Sequence, residues 1–239
     1  MLTCVSLTGP DDKTDIGELA RLAERFPFVE WALLYVPHNE GAPRNPTRAW
    51  REAFFNADMQ GSSAVHLCGS LAFNELLTGS LPADILRADR LQLNVNARRR
   101  EFSDQQVLDI YHRSLTLGPD IILQRHADTA DLIDRFLAEL TAGQSERVHV
   151  LLDESKGTGL APASWQRPGS LEGVYCGFAG GVAPHNVGVT LHMLRAIHAP
   201  DEPWWVDMES GIRTENEFDM AKALAVLEAA QPLALSKAA

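Results

Sequence analysis

Val174-Tyr175-Cys176-Gly177-Phe178-Ala179-Gly180-Gly181, continuing as Val182-Ala183-Pro184-His185-Asn186-Val187, is an apolar run that ends in a glycine pair and leads into a helix-like segment. A second run of the same build follows it, Trp204-Trp205-Val206-Asp207-Met208-Glu209-Ser210-Gly211. Glycine at the end of a strand leaves backbone N–H groups open to an anion, and a following helix adds the positive end of its dipole. Two such turns on adjacent strands can grip one phosphate between them. Gly180, Gly181, Ser210 and Gly211 are therefore candidate phosphate-binding residues, and a small phosphorylated metabolite is the expected partner.

Working outward from this pair, apolar strand-like runs begin near Leu2, Val29, Ala64, Leu91, Ile121, Val148, Val174 and Trp204. They recur about every 26 to 35 residues, the spacing that parallel strands with crossover connections require. Between them lie segments with helical spacing: Ile16 to Arg25, Gln105 to Thr116, Thr129 to Leu140, Val187 to Ile197 and Glu217 to Ala229. Eight strand–helix units predict an α/β fold in which a parallel sheet closes on itself, a (β/α)8 barrel. The 239 residues fit one such domain, spanning 1–239, with no low-complexity linker. Phosphate sites after the seventh and eighth strands are a recurring feature of such barrels.

The net charge of −11 argues against a broad nucleic-acid footprint and against an anionic membrane surface. The cluster Arg98-Arg99-Arg100 reads as a solvated loop. Cys4, Cys68 and Cys176 are too far apart for a Cys-x-x-Cys pair, so neither a disulfide framework nor a zinc ribbon is expected. The chain shows no secretory leader and no membrane-length apolar run, and a cytoplasmic monomer or homodimer is the expectation.

Several runs carry polar side chains at alternate positions near their C-terminal ends. These are His66 and Cys68, Gln92 and Asn94, Gln124 and His126, with Asp153 after the sixth run and Asp207 in the eighth. Alternation places each pair on one face of its strand. If that face is the barrel interior, the set converges at the C-terminal mouth. Sequence spacing gives no metal-ligand pattern for the histidines and Cys68, and no metal is expected.

These stretches resemble the phosphoribosylanthranilate isomerase family of tryptophan biosynthesis. Ala179-Gly180-Gly181-Val182 with Pro184-His185-Asn186-Val187 is similar to the family's seventh-strand motif, and Asp207-Met208-Glu209-Ser210-Gly211-Ile212-Arg213 to its eighth. Leu151-Leu152-Asp153 with Gly157-Thr158-Gly159, and Trp165 downstream, are similar to the sixth-strand region. Ala42-Pro43-Arg44-Asn45 and Gln92-Leu93-Asn94-Val95 are similar to the segments after the second strand and in the fourth. The matches run in order along nearly the whole chain.

The resemblance implies a barrel that performs an Amadori rearrangement of an aminoaldose phosphate to an aminoketose phosphate, with no cofactor. It implies Asp153 as general acid, Arg44, Gln92, Asn94 and Asp207 as substrate-binding residues, and Gly157 and Gly159 as further phosphate contacts. The family's base is a first-strand cysteine. Here aligning the threonine places Val5 at that position and a one-residue shift places Ser6 there, so Cys4 reaches it only with a further shift. The base is thus open between Cys4, Ser6 and a histidine such as His66 or His126. Asn94 stands where the family has histidine, and Arg213 where it has an acidic residue. A diverged paralogue with other acid–base groups, or a protein that only binds a phosphorylated ligand, is the alternative.

Overall fold

Eight parallel strands close into a barrel in strict chain order: β1 (Leu2–Thr8), β2 (Val29–Tyr35), β3 (Ser62–Cys68), β4 (Arg90–Asn94), β5 (Asp120–Arg125), β6 (Val148–Leu152), β7 (Cys176–Ala179) and β8 (Trp204–Met208). The computed structural model describes residues 1–97, 99–153, 162 and 164–234. The closing ladder pairs β8 with β1 and sets Ser6 beside Asp207. Around the barrel run α1 (Ile16–Arg25), α2 (Arg48–Asn56), α3 (Gly69–Thr78), α4 (Asp104–Ser114), α5 (Ala130–Glu139), the single turn α6 (Ala142–Ser145), α7 (Val187–Ala196) and α8 (Met220–Ala230). No described helix is long and apolar enough to cross a membrane.

Local chemistry sets the helix starts. Asp15 accepts from the Glu18 N–H at the head of α1, and Ser103 with Gln106 closes a capping box at the head of α4. The last helix begins later than its periodicity predicts. Arg213–Thr214 (β9) and Glu217–Phe218 (β10) form a small antiparallel ribbon, turned by Glu215 and Asn216 with φ of 50° and 64°. Asp219 then accepts from the N–H groups of Ala221 and Lys222 and starts α8 there.

Alternation along each strand sorts side chains between two cores. Val5, Leu7, Val29, Trp31, Leu33, Val65 and Leu67 face the helices and join the main apolar cluster. Facing inward, Cys4, Ile122, Leu151, Ala179 and Trp205 form a second cluster inside the barrel. Gly177 makes room for this packing. A Cβ there would lie 2.0 Å from Trp205 Cε2, so the indole occupies space that any other residue on β7 would fill.

The N-terminal end of the barrel is closed by a polar–aromatic floor. Arg90 donates from Nε and Nη2 to the two carboxylate oxygens of Glu30, both at 2.6 Å. Its guanidinium lies 4.6 Å from the Trp205 ring centre, and Tyr175 packs against that indole with centroids 4.6 Å apart. The Tyr175 hydroxyl reaches Thr3 Oγ1 at 2.7 Å. Burial pushes Glu30 upward, but the charge and hydrogen bonds of Arg90 outweigh it and hold the carboxyl below its ordinary value.

Candidate active site at the barrel mouth

At the opposite end, the β6 and β8 termini contribute the two carboxyls expected there. Asp153 is buried just past β6 and its Oδ2 accepts from Gln124 Nε2 at 2.8 Å, a side chain of neighbouring β5. Asp207, buried in β8, accepts at Oδ1 from Thr8 Oγ1 at 2.6 Å, the last residue of β1. Both line one cavity of about 270 Å³. The wall between them is the end of β7 and its turn, Ala179 to Ala183, with His185 beyond; Met208 to Gly211 form the other side.

Both glycine turns identified from sequence therefore belong to this cavity. Gly180 and Gly181 adopt φ of 120° and 64°, conformations that side chains disfavour. Asn186 braces the first turn, donating to Gly181 O and accepting from the Ala183 N–H, both at 2.8 Å. The second turn, a 3₁₀ segment Ser210–Ile212, leans against the first. A Cβ on Gly211 would lie 2.1 Å from Val182 O, so the contact depends on its absence. The first N–H groups of such a turn are not consumed by the turn itself.

The electrostatics of the lining are acidic. Asp153, Asp207, Glu209 and His185 are its ionisable side chains. Burial raises the pKa of Asp207 to about 7, with the charges of Glu209, Asp153 and Glu30 pushing the same way and the Thr8 hydrogen bond opposing them. Glu209 is partly neutralised from outside the cavity by Arg44, whose Nη1 donates to it at 2.5 Å.

Arg44 itself holds φ of 74°, and its N–H donates to Asp11 Oδ2 at 2.7 Å. Arg213 donates to Gly9 O at 2.7 Å and to the same Asp11 oxygen at 3.3 Å. Asp11 thus joins the loops after β1, β2 and β8, and Arg213 serves as a staple where the resemblance expects an acid.

Other expected site residues are placed elsewhere. Cys4, expected as a candidate base, lies in the inner apolar cluster, two residues before Ser6 and four before Thr8 on the same face of β1, and it is not among the residues lining the cavity. Arg90 Nη2 approaches its sulfur at 3.8 Å, while burial and then the Glu30 charge push the thiol's pKa well up, against the ionisation a base needs. Gln92 and Asn94 also stand outside the lining. Gln92 Nε2 donates to Asn94 Oδ1 at 2.8 Å and meets His66 Nδ1 at 3.3 Å, and Asn94 Nδ2 reaches Cys68 Sγ at 3.2 Å.

His66 is buried and its pKa falls to about 4, with burial the main cause. His126 pairs with Val95 O at 3.2 Å. Neither lines the cavity. Gly157 and Gly159 lie outside the described residues. Among the described residues, no three His, Cys, Asp or Glu side chains gather as a metal site.

Sequence reasoning passed over Thr8, Glu209 and His185 as site residues. The signal for Thr8 was present in the alternation Cys4, Ser6, Thr8, which puts the threonine at the mouth end of the face.

Comparison with solved structures agrees with this architecture. The chain is similar to phosphoribosyl anthranilate isomerase from Thermus thermophilus, at 15% identity and a TM-score of 0.56 over 96% of this chain and 99% of that one. It is similar to N-(5'-phosphoribosyl)anthranilate isomerase from Pyrococcus furiosus at 15% identity and 0.55, over the same shares. Phosphoribosyl anthranilate isomerase from Thermococcus kodakaraensis gives 17% and 0.53, again over 96% and 99%. No protein-family model matches the sequence. No curated protein matches it either. At these identities the likeness is one of fold: a single (β/α)8 barrel of the kind those isomerases adopt.

Proposed function

We propose that the mouth of this barrel binds a small phosphorylated sugar derivative and isomerises it from aldose to ketose by general acid–base catalysis, the Amadori chemistry of phosphoribosylanthranilate isomerases. The observation that carries this reading is the shared cavity: two carboxyls, Asp153 and Asp207, sit beside two glycine turns in one space. A proton-transfer isomerase needs ionisable groups next to an anion grip. The backbone turns around Gly180–Gly181 and Ser210–Gly211 take the phosphate, and Asp153, oriented by Gln124, serves as the acid that opens the sugar ring. The chemistry calls for neither metal nor organic cofactor.

The test is turnover of phosphoribosylanthranilate by purified protein, with product identified by mass. Asp153→Asn is expected to lower kcat by about 10²–10⁴-fold, the usual worth of one acid–base group. Full activity in that variant refutes the acid assignment, and no product from the wild-type protein refutes the reaction.

A second reading is favoured by one observation, the engagement of Arg44 with Glu209 at the rim. An arginine so held is not free to clamp a ligand carboxylate, which fits a diverged relative that takes a different phosphorylated ligand. A panel of phosphorylated sugars, screened by the thermal shift each produces, separates the two.

A further inference from the structure

Thr8 ends the inward face of β1, and its hydroxyl is committed to Asp207 Oδ1 at 2.6 Å. Cys4, on the same face, is lodged in the barrel's inner apolar cluster, and Ser6 between them is buried beside Asp207 in the closing ladder. The β1 strand therefore presents to the cavity no side chain that can accept a proton from carbon. The β8 strand does. Asp207 lines the same space as Asp153, from strands that flank β7 on its two sides.

We propose that Asp207 is the catalytic base of this site, that it removes the proton from C2 of the sugar, and that Thr8 is the positioning residue that fixes its carboxylate. The inference rests on reading the mouth as an aldose–ketose isomerase site. It assigns to β8 a task that the resemblance assigns to β1.

The proton inventory closes with these two groups. Asp153 gives its proton to the ring oxygen as the C1–O bond breaks, and the nitrogen lone pair forms the C1=N iminium. Asp207 takes the C2 proton; the C–H electrons become the C1=C2 bond, and the iminium electrons return to nitrogen. The enolamine then collapses: the C2 hydroxyl returns its proton to Asp153, C2=O forms, and C1 receives the proton held by Asp207. Both carboxyls end as they began, and nothing is oxidised or reduced overall apart from the internal shift between C1 and C2.

The surroundings of Asp207 suit a base that works near neutrality. Thr8 and Ser6 face it from β1, Glu30 acts on it from β2, Asp153 from β6 and Glu209 from the end of β8, with His185 on the cavity wall. Burial and the three carboxylate charges raise its pKa, and the Thr8 hydroxyl is the group that favours the ionised form. Arg44 moderates the contribution of Glu209 by pairing with it.

The experiment uses the full chain and phosphoribosylanthranilate. Asp207→Asn is expected to lose about 10²–10⁴-fold in kcat with KM changed only a few-fold, as for removal of an acid–base group. Thr8→Val is expected to move the acidic limb of the kcat/KM profile to higher pH, because it deletes the bond that stabilises the carboxylate, and Thr8→Ser to restore it. The Thr8 pair keeps the test decisive if Asp207→Asn does not fold, which circular dichroism reports. Wild-type turnover with undiminished kcat in Asp207→Asn overturns the base assignment alone. So does an acidic limb that Thr8→Val leaves in place, or loss of turnover in Cys4→Ala while Asp207→Asn stays active. No product from the wild-type protein overturns the isomerase reading and the inference together.

Discussion

Glu30→Gln is the sharpest test of how the barrel floor is held. Glu30 and Arg90 form a two-pronged pair at 2.6 Å, with side-chain exposures of 1% and 9%. Glutamine keeps the volume and one acceptor but strands a guanidinium that cannot give up its charge. Stacking on Trp205 offsets little of that. Removing one partner of a buried pair costs about 3–5 kcal/mol. Each kcal/mol moves the Tm of a chain this size by about 2–4 °C, so the expected fall is about 6–20 °C.

Removing both charges, in Glu30→Leu/Arg90→Met, is expected to recover most of the loss, since an apolar pair of similar volume is close to neutral. Thermal unfolding followed by circular dichroism reads all three proteins. Glu30→Gln within about 2 °C of wild type, or a double variant less stable than the single, refutes the reasoning. The pH dependence has a definite sign. The folded-state pKa of Glu30 lies below its ordinary value, because Arg90 overcomes burial. Its contribution is therefore present above the unfolded pKa and is lost as pH falls through the folded one. The gap between wild type and Glu30→Gln should narrow in acid.

Two further substitutions probe the glycines. Gly177→Ala places a Cβ 2.0–2.5 Å from three Trp205 ring atoms, and overpacking of this kind costs about 1–3 kcal/mol or more; Trp205→Phe in the same chain should return part of the lost Tm. Gly211→Ala drives a methyl against Val182 O at 2.1 Å and Ala183 Cα at 2.9 Å, prising the two turns apart. Inorganic phosphate, titrated by calorimetry, should then bind about tenfold or more weakly, a loss of about 1.4 kcal/mol, while an unchanged affinity would remove the turns from the anion site.

The architecture was legible because its signals are local. Strand starts at Leu2, Val29, Val148 and Trp204, and the span of Ile16–Arg25, follow from apolar periodicity and a capping aspartate. The β9–β10 ribbon was hidden, because Glu215 and Asn216 are not the glycines that usually announce such a turn. At the site, alternation identified the inward faces but not the depth along them. Cys4, Ser6 and Thr8 share a face, and only barrel closure shows that the first lies within the barrel's inner packing and the last meets Asp207. The tie between Arg44 and Glu209 joins residues 165 apart in the chain, beyond the reach of any periodic pattern.

The closed floor has a kinetic corollary. Among the described residues, Trp205, Tyr175 and the Arg90–Glu30 pair fill the N-terminal end of the barrel, so whatever occupies the cavity arrives and departs at the opposite, C-terminal end. If the mouth turns over a substrate as proposed, a spent molecule must vacate before its successor enters, and product inhibition there is expected to be competitive with substrate.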